Sequence, residues 1–71
     1  MDIRVRFGRN VRHIRRERGL SQEALAEEAG IHRTYVSDVE RGARNPTITV
    51  VQKLAIALNV AAGELLDRAS A

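Results

Sequence analysis

The chain contains no cysteine, so no disulfide can staple it and no thiolate is available as a nucleophile or metal ligand. His13 and His32 stand apart from any dense cluster of further ligands, which also removes a structural zinc site. No apolar run follows a basic start, and no stretch approaches the ~20 apolar residues that a membrane-spanning helix requires. The expected location is the cytoplasm, with no membrane partner. A glycine-rich phosphate loop is missing, as is a pair of carboxylates beside a histidine, and 71 residues are too few to enclose an active-site pocket. The chain is therefore not expected to be an enzyme, and neither cofactor nor metal is expected.

What is present fits one small all-α domain over residues 1–71. A chain of this length buries only ~60% of its potential surface, so a thin core with little stability to spare is expected. No second domain offers a place for a small-molecule effector, so control by protein amount is expected over control by ligand. Twelve Lys or Arg stand against nine Asp or Glu, a net +3. The distribution is uneven. Arg4, Arg6, Arg9, Arg12, Arg15, Arg16 and Arg18 precede Gly19, opposed only by Asp2 and Glu17. Such a basic end suits a polyanion, although a basic helix can equally be a solvated face. Apart from Lys53 the cationic side chains are arginines, whose planar fork suits phosphate and guanine edges.

Hydrophobic spacing predicts five short helices. Ile3, Phe7, Val11 and Ile14 make one apolar stripe of a first helix that ends near Gly19. Val5 falls off that stripe, either exposed or in contact with a second subunit. Leu20 precedes the N-cap candidate Ser21 and is read as core. Leu25, Ala26 and Ala29 then give the second helix a face of small and medium side chains that lets a neighbour come close. Gly30 closes it and Ile31 packs across the turn. The third helix runs from about Arg33 to Arg41 and stops at Gly42, with Tyr35, Val36 and Val39 inward and Arg33, Thr34, Ser37, Asp38 and Arg41 outward. Helix, tight turn, then a helix with a polar outer face is the helix-turn-helix arrangement, whose second helix enters the major groove of DNA. Asn45 and Pro46 make a bend and Thr47 caps a fourth helix with Ile48, Val51, Leu54, Ala55 and Leu58 inward. Asn59 and Val60 bend the chain again before a fifth helix from Ala61 to about Leu66, anchored by Leu65 and Leu66. Asp67 to Ala71 are expected to fray.

From Phe7 to Leu66 the chain resembles the helix-turn-helix domain of the lambda-type repressor and Cro (XRE) family. The carrying residues are Arg15 and Gly19-Leu20-Ser21-Gln22-Glu23, Leu25-Ala26, Ala29-Gly30-Ile31, Val36, Val39-Glu40-Arg41-Gly42, Arg44-Asn45-Pro46, and Leu54-Ala55 with Ala57-Leu58. With His32-Arg33-Thr34-Tyr35 opening the third helix, it is also similar to the controller proteins of restriction-modification systems, a tetrad that other short regulators of the family share. The resemblance implies a compact five-helix repressor-like fold and a sequence-specific regulator that binds double-stranded DNA.

It also implies residue roles. Gln22 matches a position whose amide meets the DNA backbone, although an exposed glutamine needs no function. Arg33 and Thr34 match the opening of the recognition helix, where arginine can fork onto guanine and the threonine methyl can touch a thymine methyl. Ser37 can donate to a base or a phosphate. Asp38 either accepts from a cytosine amino group or orients Arg41 through an i,i+3 ion pair. Arg41, Arg44 and Asn45 match a loop that lies along the sugar-phosphate backbone, with turn capping as the plain alternative for Asn45. His32 departs from the Ser or Thr usual at its place, and its ring could cap, touch phosphate or face solvent. Arg15 and Glu40 match a partly buried ion pair that fixes where the recognition helix points.

One recognition helix exposes too few reading positions to find an operator in a genome, so a homodimer on a pseudo-palindromic site is expected. The apolar residues left over from the core, Val50, Ile56, Val60 and Ala61, are its candidate interface. The alternative function is an antitoxin-like or other protein-interaction module of helix-turn-helix shape, which a large unpaired apolar patch would favour.

Overall fold

A computed structural model describes residues 2–67. Five helices are formed there: α1 (Ile3–Glu17), α2 (Gln22–Ala29), α3 (Arg33–Glu40), α4 (Ile48–Leu58) and α5 (Ala62–Leu66). Each of the first two loops begins or ends on an identifiable cap. The Ser21 hydroxyl accepts from the Ala24 N–H at 2.9 Å, which starts α2, and Gly30 closes it in the left-handed region at φ 69°. Thr47 starts α4 in the same way, its hydroxyl accepting from the Val50 N–H at 3.2 Å. Asp2 is a cap that hydrophobic spacing does not disclose: its carboxylate accepts from the Arg4 N–H at 2.8 Å. The Arg4 side-chain and backbone bonds hold that carboxyl at about 2.

Helix α1 packs on α3 and α5, while α2 packs on α3 and α4. Between them Phe7, Val11, Leu25, Val36, Val39, Leu54, Leu58 and Leu65 form the core. Leu25, Leu54, Leu58 and Leu65 are fully buried, each contributing about 1.5–3 kcal/mol of apolar transfer energy. Tyr35, Leu20 and Ile31 pack against this core while remaining half-buried.

Glycine determines how closely α1 meets α3. A Cβ on Gly8 would lie 2.2 Å from the Val39 carbonyl oxygen, so no larger residue fits without moving backbone. Two turns of spacing away from Arg15, this contact sets the height of α3 against α1. Val5 belongs to the same contact. It is half-buried, with its Cγ2 3.0 Å from where a Gly42 Cβ would be, so it is neither simply exposed nor left for a second subunit.

Four apolar positions face differently from the expected pattern. Ile48, expected inward, is 88% exposed, and Ile3 at the start of α1 is 52% exposed. Both occupy the first position of their helix, beyond the turns that Phe7, Val51 and Leu54 anchor. Val50, expected to have no internal use, is half-buried against the core. Leu66 is 40% exposed because α5 has only five residues, and adjacent side chains 100° apart cannot both point inward. Leu65 takes the core position.

Asn10 ties the C-terminal end down. Its buried amide donates to the Leu65 carbonyl at 3.0 Å and to the Asp67 carbonyl at 2.7 Å. Asp67 is thereby held, contrary to the expected fraying, and residues 68–71 lie outside the described residues.

Candidate nucleic-acid interface

Glu40 is where the first three helices are locked together. Its carboxylate accepts from Arg15 Nε at 2.6 Å and Nη2 at 3.0 Å, and from Gln22 Nε2 at 3.1 Å. The remaining Arg15 nitrogen, Nη1, donates to the Leu20 carbonyl at 2.8 Å. Arg15 and Glu40 side chains are only 10% and 3% exposed. Breaking such a buried pair strands a charge, at a cost of about 3–5 kcal/mol. One turn of α1, the start of α2 and the end of α3 are thus held at a fixed angle by one carboxylate.

With Val36, Val39 and Glu40 turned inward, α3 presents its other side to solvent. Arg33 and Thr34 are exposed at its beginning, and Ser37 and Asp38 follow half-buried one turn later. His32 is the exposed N-cap residue, extended at φ −73° and ψ 145°, and its ring makes no capping hydrogen bond. The first N–H groups of α3 thus have no side-chain cap from His32, an arrangement suited to an anion.

Past α3 the chain adds more cation. Arg41 is its C-cap, and Arg44 and Asn45 follow, all three exposed. Asp38 binds both arginines: one oxygen accepts from Arg41 Nη2, and the other from Arg44 Nη2 at 3.2 Å. Hydrogen bonds from Arg44 and then Arg41 hold its carboxyl below the usual carboxylate range. The Arg44 guanidinium also lies 4.3 Å from the centroid of the Tyr35 ring, a cation–π contact. Of the two roles open to Asp38, its pairing with Arg41 is the one formed in the free protein, and Arg44 is an addition that i,i+3 spacing does not foretell.

The basic first helix does not form one uniform patch. Arg4 is paired with Asp2 at 2.9 Å, Arg15 is buried, and Arg18 Nε donates to the Leu58 carbonyl at 3.0 Å. Arg9, Arg12 and Arg16 are exposed and, at successive spacings of three and four, share one helix face. Gln22 is half-buried with one amide hydrogen on Glu40, which leaves its second amide hydrogen for an outside acceptor.

An apolar surface lies between the N-terminus of α1, the Asn45–Pro46 bend and helices α4 and α5. Ile3, Phe7, Ile48, Val51, Ile56 and Leu66 border a groove of about 690 Å³. Ile56 is 69% exposed and Ala61 is exposed, whereas Val50 and Val60 are half-buried against the core. The surplus apolar area is thus carried by Ile48 and Ile56 more than by Val50 and Val60. Among the described residues no helix is long and apolar enough to cross a membrane, and no group of three or more His, Asp or Glu is placed to hold a metal.

The helix-turn-helix family model HTH_3 matches residues 11–65. This chain belongs to that family, the DNA-binding regulators of XRE type. It is 48% identical over 67 residues to the control protein C.BamHI of Bacillus amyloliquefaciens, covering 93% of this chain and 83% of that protein. The restriction-modification controller protein C.AhdI from Aeromonas hydrophila superposes with a TM-score of 0.86 at 47% identity, covering 87% of this chain and 94% of that one. SinR, a master regulator for biofilm formation solved in complex with DNA, superposes with a TM-score of 0.82 at 37% identity, covering 86% and 98%. The relatives and the fold are those of DNA-binding regulators and not of enzymes.

Proposed function

We propose that this protein is a sequence-specific transcriptional regulator that binds a pseudo-palindromic operator as a homodimer. The observation that carries the reading is the Arg15–Glu40–Gln22 lock, which holds α3 with Arg33 and Thr34 exposed at its leading end. A helix aimed this way can put Arg33 on the O6 and N7 of guanine and the Thr34 methyl on thymine, with Ser37 one turn behind. His32 and the second amide hydrogen of Gln22 would meet phosphates on one side, and Arg41, Arg44 and Asn45 on the other. Similarity to C.BamHI, a control protein, and to SinR, solved with DNA, supports the same reading.

The homodimer rests on the groove beside α4. Ile48 and Ile56, 88% and 69% exposed, border this groove, and together with the exposed Ala61 at the start of α5 they are assigned to a surface that a second copy can cover by two-fold pairing. Val60 borders the same groove, while Val50 is half-buried against the core. A contact this small is expected to be completed on DNA. The test is sedimentation over a wide concentration range, with and without a preferred duplex. Two chains per duplex are expected, and one chain per specific duplex would reject the dimer. A patch that stays unpaired even on DNA would instead favour a separate protein partner, the antitoxin-like alternative.

A further inference from the structure

Asp38 is the only acidic side chain among the outward residues of α3 and the loop that follows it, and it lies among the groups proposed to touch DNA. A carboxylate there is repelled by the phosphate backbone, so it lowers affinity unless it contributes something else. Its contacts show what that is. Its two oxygens are divided between Arg41 and Arg44, and Arg44 is additionally braced on the Tyr35 ring. A guanidinium has five N–H donors, and each bond to Asp38 uses one, so both arginines keep an open edge for phosphate oxygens. Arg41 and Arg44 are 64% and 44% exposed at their side chains, whereas Asp38 is 21% exposed. The carboxylate thus sits beneath the two cations and presents them outward.

We infer that Asp38 is a specificity-determining positioning residue: it presets Arg41 and Arg44 for the backbone geometry of the correct site and, through its charge, weakens binding to DNA that lacks that geometry. The inference rests on the DNA-binding reading above. Non-specific association is dominated by counterion release and follows total charge, so a carboxylate subtracts from it wherever the protein lands. Specific docking depends on register along the backbone, and two arginines already held in place favour it. The same side chain therefore acts on the two binding modes in opposite directions. A residue of mere structural importance would act on both alike.

The test is Asp38→Asn, titrated against a duplex selected by the wild-type protein and against a scrambled duplex, from low to high salt. Binding to the scrambled duplex should tighten by roughly three- to tenfold at low salt, with a steeper salt dependence of about one ion per released arginine. Affinity for the selected duplex should not rise, so the specificity ratio falls, while the base preference recovered by selection stays the same at every position. In a chain carrying Arg41→Gln and Arg44→Gln, the same substitution should leave the ratio unchanged, because nothing remains to position. Three results would overturn the inference: an unaltered ratio, an equal fall of the ratio in the arginine-less chain, or a preference lost at a single base pair, which would make Asp38 a direct reader of cytosine. Failure of the DNA-binding reading is recognised separately, because the wild-type chain would then show no preference between the two duplexes.

Discussion

Arg15 and Glu40 meet through two hydrogen bonds, 2.6 and 3.0 Å long, across 25 positions of sequence and almost out of solvent. The pair joins the C-terminal half of α1 to the last residue of α3, and Gln22 adds α2 to the same carboxylate. Glu40→Ala should cost about 3–5 kcal/mol by stranding the Arg15 charge, while the exposed Glu27→Ala should stay within about 0.5 kcal/mol. Thermal or urea melts of the two variants compare them directly. Matching melting points with intact DNA binding would show that the lock is dispensable.

Reading and positioning should separate by mutation. Arg33→Ala is expected to lose about 1–3 kcal/mol on the preferred duplex and to relax preference at one base position, whereas Arg44→Ala should weaken binding and lower the salt slope by about 1 without changing the selected motif at any single position. Repeating the duplex selection with each variant distinguishes them. An unchanged motif for Arg33→Ala would make Arg33 a backbone contact.

Gly8 offers a test of the α1–α3 approach. Alanine is a better helix former than glycine by about 0.5–1 kcal/mol, yet its Cβ would lie 2.2 Å from the Val39 carbonyl oxygen. Gly8→Ala should therefore destabilise the fold by about 1–3 kcal/mol through overpacking. At Gly63 a Cβ meets nothing within 4 Å, so Gly63→Ala should be neutral or stabilising. A rise in melting temperature for Gly8→Ala would mean that α1 and α3 stand further apart than described.

The homodimer should depend on side chains that the monomer does not use. Ile48→Asp and Ile56→Asp are expected to abolish pairing while leaving the thermal melt of the monomer within about 0.5 kcal/mol of wild type. Val50→Asp, by contrast, should unfold the chain, because that residue packs on the core. Sedimentation and circular dichroism on the same samples measure both effects. Normal pairing by Ile48→Asp and Ile56→Asp would move the interface elsewhere.

Local chemistry made most of this fold readable. Ser21, Gly30, Thr47 and Asn59 announce helix ends through their side chains or their tolerance of left-handed backbone, and all four are found at those ends. Apolar spacing located Phe7, Val11, Leu25, Leu54 and Leu58 in the core for the same reason. What spacing could not reveal is tertiary. Ile48 and Val50 lie on either flank of the α4 stripe, and only the placement of neighbouring helices decides that Val50 is covered and Ile48 is not. Gly8 looks like a weak point in an amphipathic helix until α3 is seen against it. Asn10 does carry a signal in the sequence: a polar residue three positions after Phe7 and next to Val11 falls near the buried arc of α1, where an amide must find partners. At the proposed DNA face, the positions of Arg33, Thr34 and Arg41 follow from helix geometry, but the link from Asp38 to Arg44 and on to Tyr35 needs the loop to fold back.

Selection of bound duplexes from a random pool by the purified protein probes the proposed regulator most directly. It should enrich one motif of two inverted half-sites whose centres lie about one helical turn apart, roughly 10–10.5 base pairs or a multiple of it. A pool that shows no enriched motif after repeated rounds, at a salt concentration where the protein still retains DNA, would contradict sequence-specific recognition.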